Sequence, residues 1–342
     1  MEPRLDRPIT LHMMGDWGIA NLHRICGWVS AELWRRSPAG SKFATWAGRG
    51  GSDAITAVLD GDVQTALFVP ASFGRTIFEG LGICERPDVG RLRALATLPQ
   101  DDRLVFAIDA DFGIRSFDEL RAKRPPLRLA TAWDDGVNMT GFAAYRLLEA
   151  EHIPPATLES WGGTLVLGEA PWDIVPRVKS GEADAVLFEA VMTPYWRDMC
   201  TAKKMNFIAF DDFALDHVER RFGWHRASVP SDRFPGLAAP FQALDFSDFL
   251  LLCRDDFPDD IAYVIAALLC ETPDILESQY RHIPPKNSPV TYPLEPRKIA
   301  ATCIPLAAGA ERYYRERGYL QDAPPRSYSG DVPFSAKTSP AR

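Results

Sequence analysis

Two stretches decide the fold: LDGDVQTALF at residues 59–68 and KSGEADAVLF at residues 179–188. Each passes from a helix end through a glycine, an acid and a polar residue into an apolar strand finishing Leu-Phe. Glycine stops a helix because it takes the left-handed conformation with no Cβ clash. The bounded apolar run after it reads as a buried strand. The copies lie 120 residues apart (59 to 179), one in each half of the chain. Such an echo predicts two α/β lobes of similar topology.

Around the first copy, residues 9–14 read as a strand ending at Gly15. A helix follows with Leu22, Ile25, Cys26, Val29, Leu33 and Trp34 on one side, then a strand at 43–47 ended by Gly48-Arg49-Gly50-Gly51. Ser52 is placed to cap the helix DAITAVLD, Gly61 stops it, and 65–69 is the third strand. This βαβαβ order implies parallel strands with right-handed crossovers. Around the second copy, strands are expected at 104–108, 127–130 and 185–188. A capping box, Ser116 with Glu119, opens a short helix, and further helices are expected near 140–151 and 173–179. Residues 155–172 read as a lengthened connection. A Pro-rich segment (229–240) leads back to a strand at 249–253, followed by helices near 259–270, 273–281, 295–302 and 307–317. The expected division is lobe I from 1–104 and 250–320, lobe II from 105–249, and a disordered tail at 321–342.

With 46% hydrophobic and 25% charged residues among 342, the chain can build full cores, which excludes a disordered or disulfide-scaffold protein. The net charge of −8 supplies no general attraction for nucleic acid or anionic lipid. The six cysteines lie far apart without metal-type spacing, and no stretch reaches the length of an apolar membrane span. The first residues lack the basic and apolar regions of a secretory signal, so the expectation is a cytoplasmic protein, or a periplasmic one if translation starts upstream. GxGxxG, GxxxxGK[ST], HExxH and GxSxG motifs are all missing, and no cofactor or metal is expected.

In open parallel sheets, ligands meet the turns at the C-terminal strand ends. Three such turns are the candidates here. Asp16 and Trp17 follow the first strand. Arg49, Gly50, Gly51 and Ser52 follow the second, where bare amides, a helix N-terminus and a guanidinium suit a carboxylate. Trp133, Asp135, Gly136 and Asn138 follow a strand of the second lobe. Trp17, Trp46 and Trp133 suggest an aromatic-lined cleft, and Glu189 ends a strand facing the same crevice. Asp211, Asp212, Asp216, His217 and His225 have a metal-like look, but Asp212 is better read as a helix cap.

With these residues laid out, the chain resembles the TAXI-type solute receptors of TRAP transporters. The carriers are GDWG (15–18), GRGGSDAITAVLDGDVQTALF (48–68), the crossover segment LRALATLPQDDRLVFAIDADFGIRSFDEL (92–120), VKSGEADAVLFEAVMTP (178–194) and AAGAERYYRERG (307–318). The likeness spans roughly residues 9–320. It implies the type II periplasmic-binding-protein fold, two lobes closing by hinge motion on a small organic acid or amino-acid-like ligand, aromatic ones included. TRAP membrane subunits would be partners if the chain is exported. By position, the ligand would meet Gly50, Gly51 and Ser52 in one lobe, and the Gly136–Asn138 turn with the segment after Phe188 in the other. The alternative is a cytoplasmic enzyme on the same fold, a decarboxylase or lyase of an aromatic or hydroxy acid. Arg49 and the Gly50–Gly51 amides would then hold the carboxylate while Glu189 or His12 moves the proton.

Overall fold

The computed structural model describes residues 2–16, 21–191 and 193–320. The expected tail at 321–342 and the ring of Trp17 therefore lie outside the described residues. The chain forms two sheets. The first joins β1 (Thr10–Asp16), β2 (Lys42–Gly48), β3 (Thr65–Phe68), β4 (Leu92–Leu98) and a late strand, Phe249–Arg254. The second joins β5 (Arg103–Asp109), β6 (Arg128–Ala132), β7 (Thr164–Gly168), β8 (Ala185–Glu189), β9 (Met205–Ile208), β10 (Arg226–Val229) and β11 (Phe241–Asp245). With the late strand as β12, the first sheet has the order β2-β1-β3-β12-β4, and the second runs β10-β11-β5-β8-β6-β7 with β9 also on β5. Helices flank both sheets. This is the two-lobed, periplasmic-binding-protein-like α/β architecture.

The echo governs this layout. Gly61 and Gly181 both end their helices in the left-handed region, at φ 82° and 83°, with N–H groups reaching the carbonyls of Val58 and Val178. The strands that follow take equivalent places: β3 lies between parallel β1 and antiparallel β12, and β8 between parallel β6 and antiparallel β5. The sheets are more mixed than the expected, mostly parallel ones, because the chain returns through each sheet against the direction of its core strands.

Residues 155–172 differ from the expected loop. They hold a helix, Pro155–Ser160, and the strand β7, which pairs with β6 as β2 pairs with β1. Ser52 begins its helix rather than capping it; Gly51 holds the cap position with no side-chain cap bond. Asp212 likewise begins Asp212–Phe222 and pairs with Arg226 at 2.7 Å. The capping box forms as expected, with the Glu119 N–H donating to Ser116 Oγ at 3.1 Å and the Arg115 N–H to Glu119 Oε2 at 2.7 Å. No helix among the described residues is long and apolar enough to cross a membrane.

The chain crosses between the sheets twice, from β4 to β5 and from β11 to β12. The crossings are tied together: Gln100 N donates to Asp248 Oδ1 at 2.9 Å, and Ser247 Oγ donates to the Asp102 carbonyl at 2.9 Å. Beside them an apolar contact joins the lobes, with Phe73 stacked on Trp224 at 4.1 Å and edge-on to Phe246. Thr76 completes it, donating to the Phe222 carbonyl and accepting from Trp224 Nε1.

Candidate functional site

The predicted ligand turns of the two lobes meet each other. Arg49 reaches across to Glu169, with Nε and Nη2 each 2.5 Å from a carboxylate oxygen, and its Nη2 also lies 2.7 Å from Asp135 Oδ2. Glu169 is the paired carboxylate that the sequence reading missed. Ser52 Oγ donates to the Gly136 carbonyl at 2.8 Å, and the Ser52 N–H to the Val137 carbonyl at 3.1 Å. A Cβ on Gly51 would run into the Val137 carbonyl oxygen, so glycine is what lets the two turns touch.

Each turn is braced locally. Asp53 accepts from the Arg49 and Gly51 amides at 2.6 and 3.0 Å. Asp135 Oδ1 accepts from the Val137 and Asn138 amides at 3.0 Å, and these bonds with Arg49 outweigh burial and hold its carboxyl below the usual range. Asn138 caps the helix Met139–Ala150 through the Gly141 N–H and donates to the Glu169 carbonyl at 3.1 Å. In this arrangement the groups expected to clamp a carboxylate are engaged by the protein's own carboxylates and carbonyls.

Next to this contact lies a small cavity of about 30 Å³ between the lobes. Lobe I contributes Asp16 at the end of β1, Asn21 and Leu22 opening the helix Asn21–Arg35, Val69 after β3, Gln100 at the first crossing and Phe249 opening β12. Lobe II contributes Glu189 at the end of β8, Val191, and Pro171 with Trp172 at the start of the helix Pro171–Ser180. Gly50 packs beneath it: a Cβ there would lie 3.6 Å from Asp16 Cβ and 3.8 Å from Val69 Cγ1.

Among the described residues, the lining holds two carboxylates and no cationic side chain. Asp16 is 2% exposed and accepts from the His23 N–H at 3.2 Å; burial raises its pKa to about 6 despite that bond. Glu189 is 8% exposed. Burial, and then the neighbouring charges of Asp102 and Asp16, push its carboxyl well above the ordinary value and favour its protonated form. Behind it sits Asp102, fully buried and raised to about 7 by burial, with Oδ1 accepting from the Arg103 and Ala190 amides and Oδ2 unpartnered.

Sequence reasoning thus placed Asp16 and Glu189 at what becomes the cavity, but missed Asp102, Gln100, Trp172 and Phe249. A doubled acid just before a strand, Asp101-Asp102, was the available signal for Asp102. His12 lies elsewhere: it is four residues back along β1, about 13 Å from Asp16, where its ring lies tilted against Trp46 with the centroids 5.8 Å apart. Trp46 and Trp133 are about half exposed, at 47% and 45%, and neither lines the cavity. Among the described residues, no group of three or more His, Cys, Asp and Glu side chains could hold a metal ion, which includes the Asp211–His225 region.

Comparison with known proteins gives the following likenesses. The profile of the NMT1-like family matches residues 165–318, a little under half of the chain. No curated protein matches the sequence. Similar solved structures include PhnD1 from Prochlorococcus marinus in complex with methylphosphonate, at 11% identity and TM-score 0.49, over 91% of this chain and 99% of that one. A TctC solute-binding protein from Polaromonas is similar at 13% identity and TM-score 0.49, over 92% and 97%. MatC from Rhodopseudomonas palustris with bound malate is similar at 15% identity and TM-score 0.44, over 76% and 82%.

Proposed function

We propose that this chain is a solute-binding protein that encloses one small molecule between its lobes, in the cavity formed by Asp16, Val69, Gln100, Trp172, Glu189 and Phe249. The observation that carries this reading is the place of the cavity. It sits at the C-terminal ends of β1, β3 and β8, where both lobes contribute to the wall and two short crossings leave the lobes free to part. The finer reading, a receptor of the TAXI type serving TRAP membrane subunits, is supported by the ordered motifs from GDWG to AAGAERYYRERG. It would place the protein in the periplasm. A carboxylate solute would use Arg49, and to reach it would have to displace Glu169 and Asp135.

A second reading, turnover of the enclosed solute, is favoured by one feature: burial and the neighbouring carboxylates push Glu189 towards its protonated form, the form a general acid needs. One experiment separates the two. The full chain is incubated with a mixed pool of aliphatic and aromatic acids, alcohols and amines, and the retained and free fractions are read by mass spectrometry. A compound retained unchanged, and lost in Val69→Phe, supports binding. A compound consumed with a new mass appearing supports turnover. Retention that Val69→Phe leaves untouched would place the site elsewhere.

A further inference from the structure

We propose that the polar group recognised in the interlobe cavity is a protonated amine, a solute's ammonium placed between the carboxylates of Asp16 and Glu189 with its apolar body against Leu22, Val69 and Phe249. This deepens the solute-binding reading and rests on it.

Three features of the cavity favour an ammonium. First, Glu189 is more than nine-tenths buried and lines the cavity, yet no described residue donates a hydrogen bond to its carboxylate or pairs with it. A buried polar group left without a partner costs free energy and calls for an explanation, and a ligand is the one that a cavity offers. Second, Asp16 faces the same space from the other lobe, with one backbone N–H and no cation as its partners among the described residues. Third, the described lining has no cationic side chain; besides the two carboxylates it holds the neutral amides of Asn21 and Gln100, aliphatic residues, and the two rings of Trp172 and Phe249. An anionic solute would meet repulsion and no counter-charge there. An ammonium would find two acceptors, and an aromatic face close by adds attraction for a cation.

The charged surroundings of Glu189 fit the same ligand. Asp16 faces it from β1, and Asp102 stands behind it at the first crossing, with Arg103 and Arg233 acting on Asp102. These neighbours and burial favour the protonated form of Glu189 as long as no cation stands beside it. Binding of an ammonium therefore expels a proton: the carboxylic acid and the alkylammonium give the carboxylate–ammonium pair and one H⁺ released to solvent.

The test uses three solutes on one skeleton, benzylamine, benzyl alcohol and benzoate, with isobutylamine, isobutanol and isobutyrate as a smaller set. Titration calorimetry in buffers of different ionisation enthalpy reads affinity and proton release together. The expected result is that an amine binds roughly tenfold or more tightly than its alcohol, with the acid weakest, and that protons are released on amine binding only. Glu189→Gln should weaken the amine roughly tenfold, abolish proton release and leave the alcohol unchanged; Asp16→Asn is the second variant, should the first fold poorly. An alcohol or acid that binds as tightly as its amine overturns the proposal while leaving solute binding standing. The same holds for amine binding that Glu189→Gln does not change. If no solute of either set binds and the mixed pool yields nothing retained or consumed, both the amine and the solute-binding reading fail. Sodium or potassium binding in place of amines, seen as a thermal shift lost in Glu189→Gln, also overturns it.

Discussion

In lobe I, β2 ends at Gly48, Arg49 follows, and Asp53 four residues on accepts from the Arg49 N–H. In lobe II, β7 ends at Gly168, Glu169 follows, and Asp173 accepts from the Glu169 N–H at 3.2 Å. The two turns are the same structure, offset by the 120 residues that separate the sequence echo. A Cβ would strike the bracing aspartate at either Gly48 or Gly168. The two turns carry opposite charges at equivalent positions, Arg49 and Glu169, and these pair with each other across the lobe interface. The next equivalent position is handled otherwise. Val69 after β3 corresponds to Glu189 at the end of β8, and there lobe II places a carboxylate opposite an apolar residue, with nothing to neutralise it. Charges at the rim are thus paired, and charges in the cavity are not. The rim pairs join the lobes, whereas the cavity carboxylates have no cationic partner among the described residues lining the cavity.

The sharpest way to break this comparison is steric. Gly51 has an ordinary negative φ of −108°, so alanine costs its turn little, but the new Cβ meets the Val137 carbonyl. Gly51→Ala should fold normally, hold the lobes apart and weaken solute binding by roughly a hundredfold or more, as the closed state is lost. Small-angle scattering would show the larger radius. An unchanged radius would mean that the rim contact is not what keeps the lobes together.

The cavity side is sharpened through stability. The folded pKa of Asp16 is raised from 3.8 to about 6, so the folded state binds the extra proton between those values. Stability from this group is full below about pH 4, falls as pH rises towards about 6 and stays lowered above it. Two pKa units correspond to about 3 kcal/mol at most, so Asp16→Asn should raise stability at pH 7 by about 2 kcal/mol and flatten the slope between pH 4 and 6. Denaturant melts at pH 4, 5, 6 and 7 would show this. A variant less stable than wild type at pH 7 would make Asp16 a structural anion, held by the helix N-terminus, rather than a recognition group.

Much of this arrangement could be read from the chain. The Gly61 and Gly181 stops fixed both central strands, and Arg49, Asp135 and Asn138 were rightly singled out as turn residues. The partner of Arg49 was hidden because β7 was read as loop. TLVLG is five residues long, sits at a sheet edge and follows Trp161-Gly162-Gly163, so its periodicity is too brief to register. Adding the 120-residue offset to Arg49 points to Glu169 directly, and the opposite sign of the two side chains is visible in the sequence. Asp102 and Gln100 escaped notice for a different reason. They belong to the crossings, whose place beside the cavity depends on how two lobes dock, and no local pattern encodes that.

Reversing one rim charge gives a smaller effect. Glu169→Arg sets two guanidiniums against each other with only Asp135 between them. The groups are about one-third exposed, so the cost in closing free energy should be about 1 kcal/mol. That cost should shrink in 0.5 M salt, where screening reaches inside about 5 Å. Scattering at low and high salt reads it, and a salt-independent change would point to lost packing instead of repulsion.

The smallest effects discriminate most finely between a latch and a clamp. Arg49→Ala and Glu169→Gln each remove the same exposed pair and should each cost well under 1 kcal/mol of stability. If Arg49 serves only to join the lobes, both variants shift the affinities for acids, alcohols and amines together and by similar factors, because each merely raises the free energy of closure. If Arg49 also receives a solute carboxylate, the two variants part company. Arg49→Ala then loses acids selectively, whereas Glu169→Gln releases the guanidinium from its competitor and strengthens acid binding. Equal and unselective shifts would assign Arg49 to the latch and leave recognition to Asp16 and Glu189. Opposite shifts for acids would add a carboxylate subsite at the rim, one competing with the interlobe ion pair for the same guanidinium.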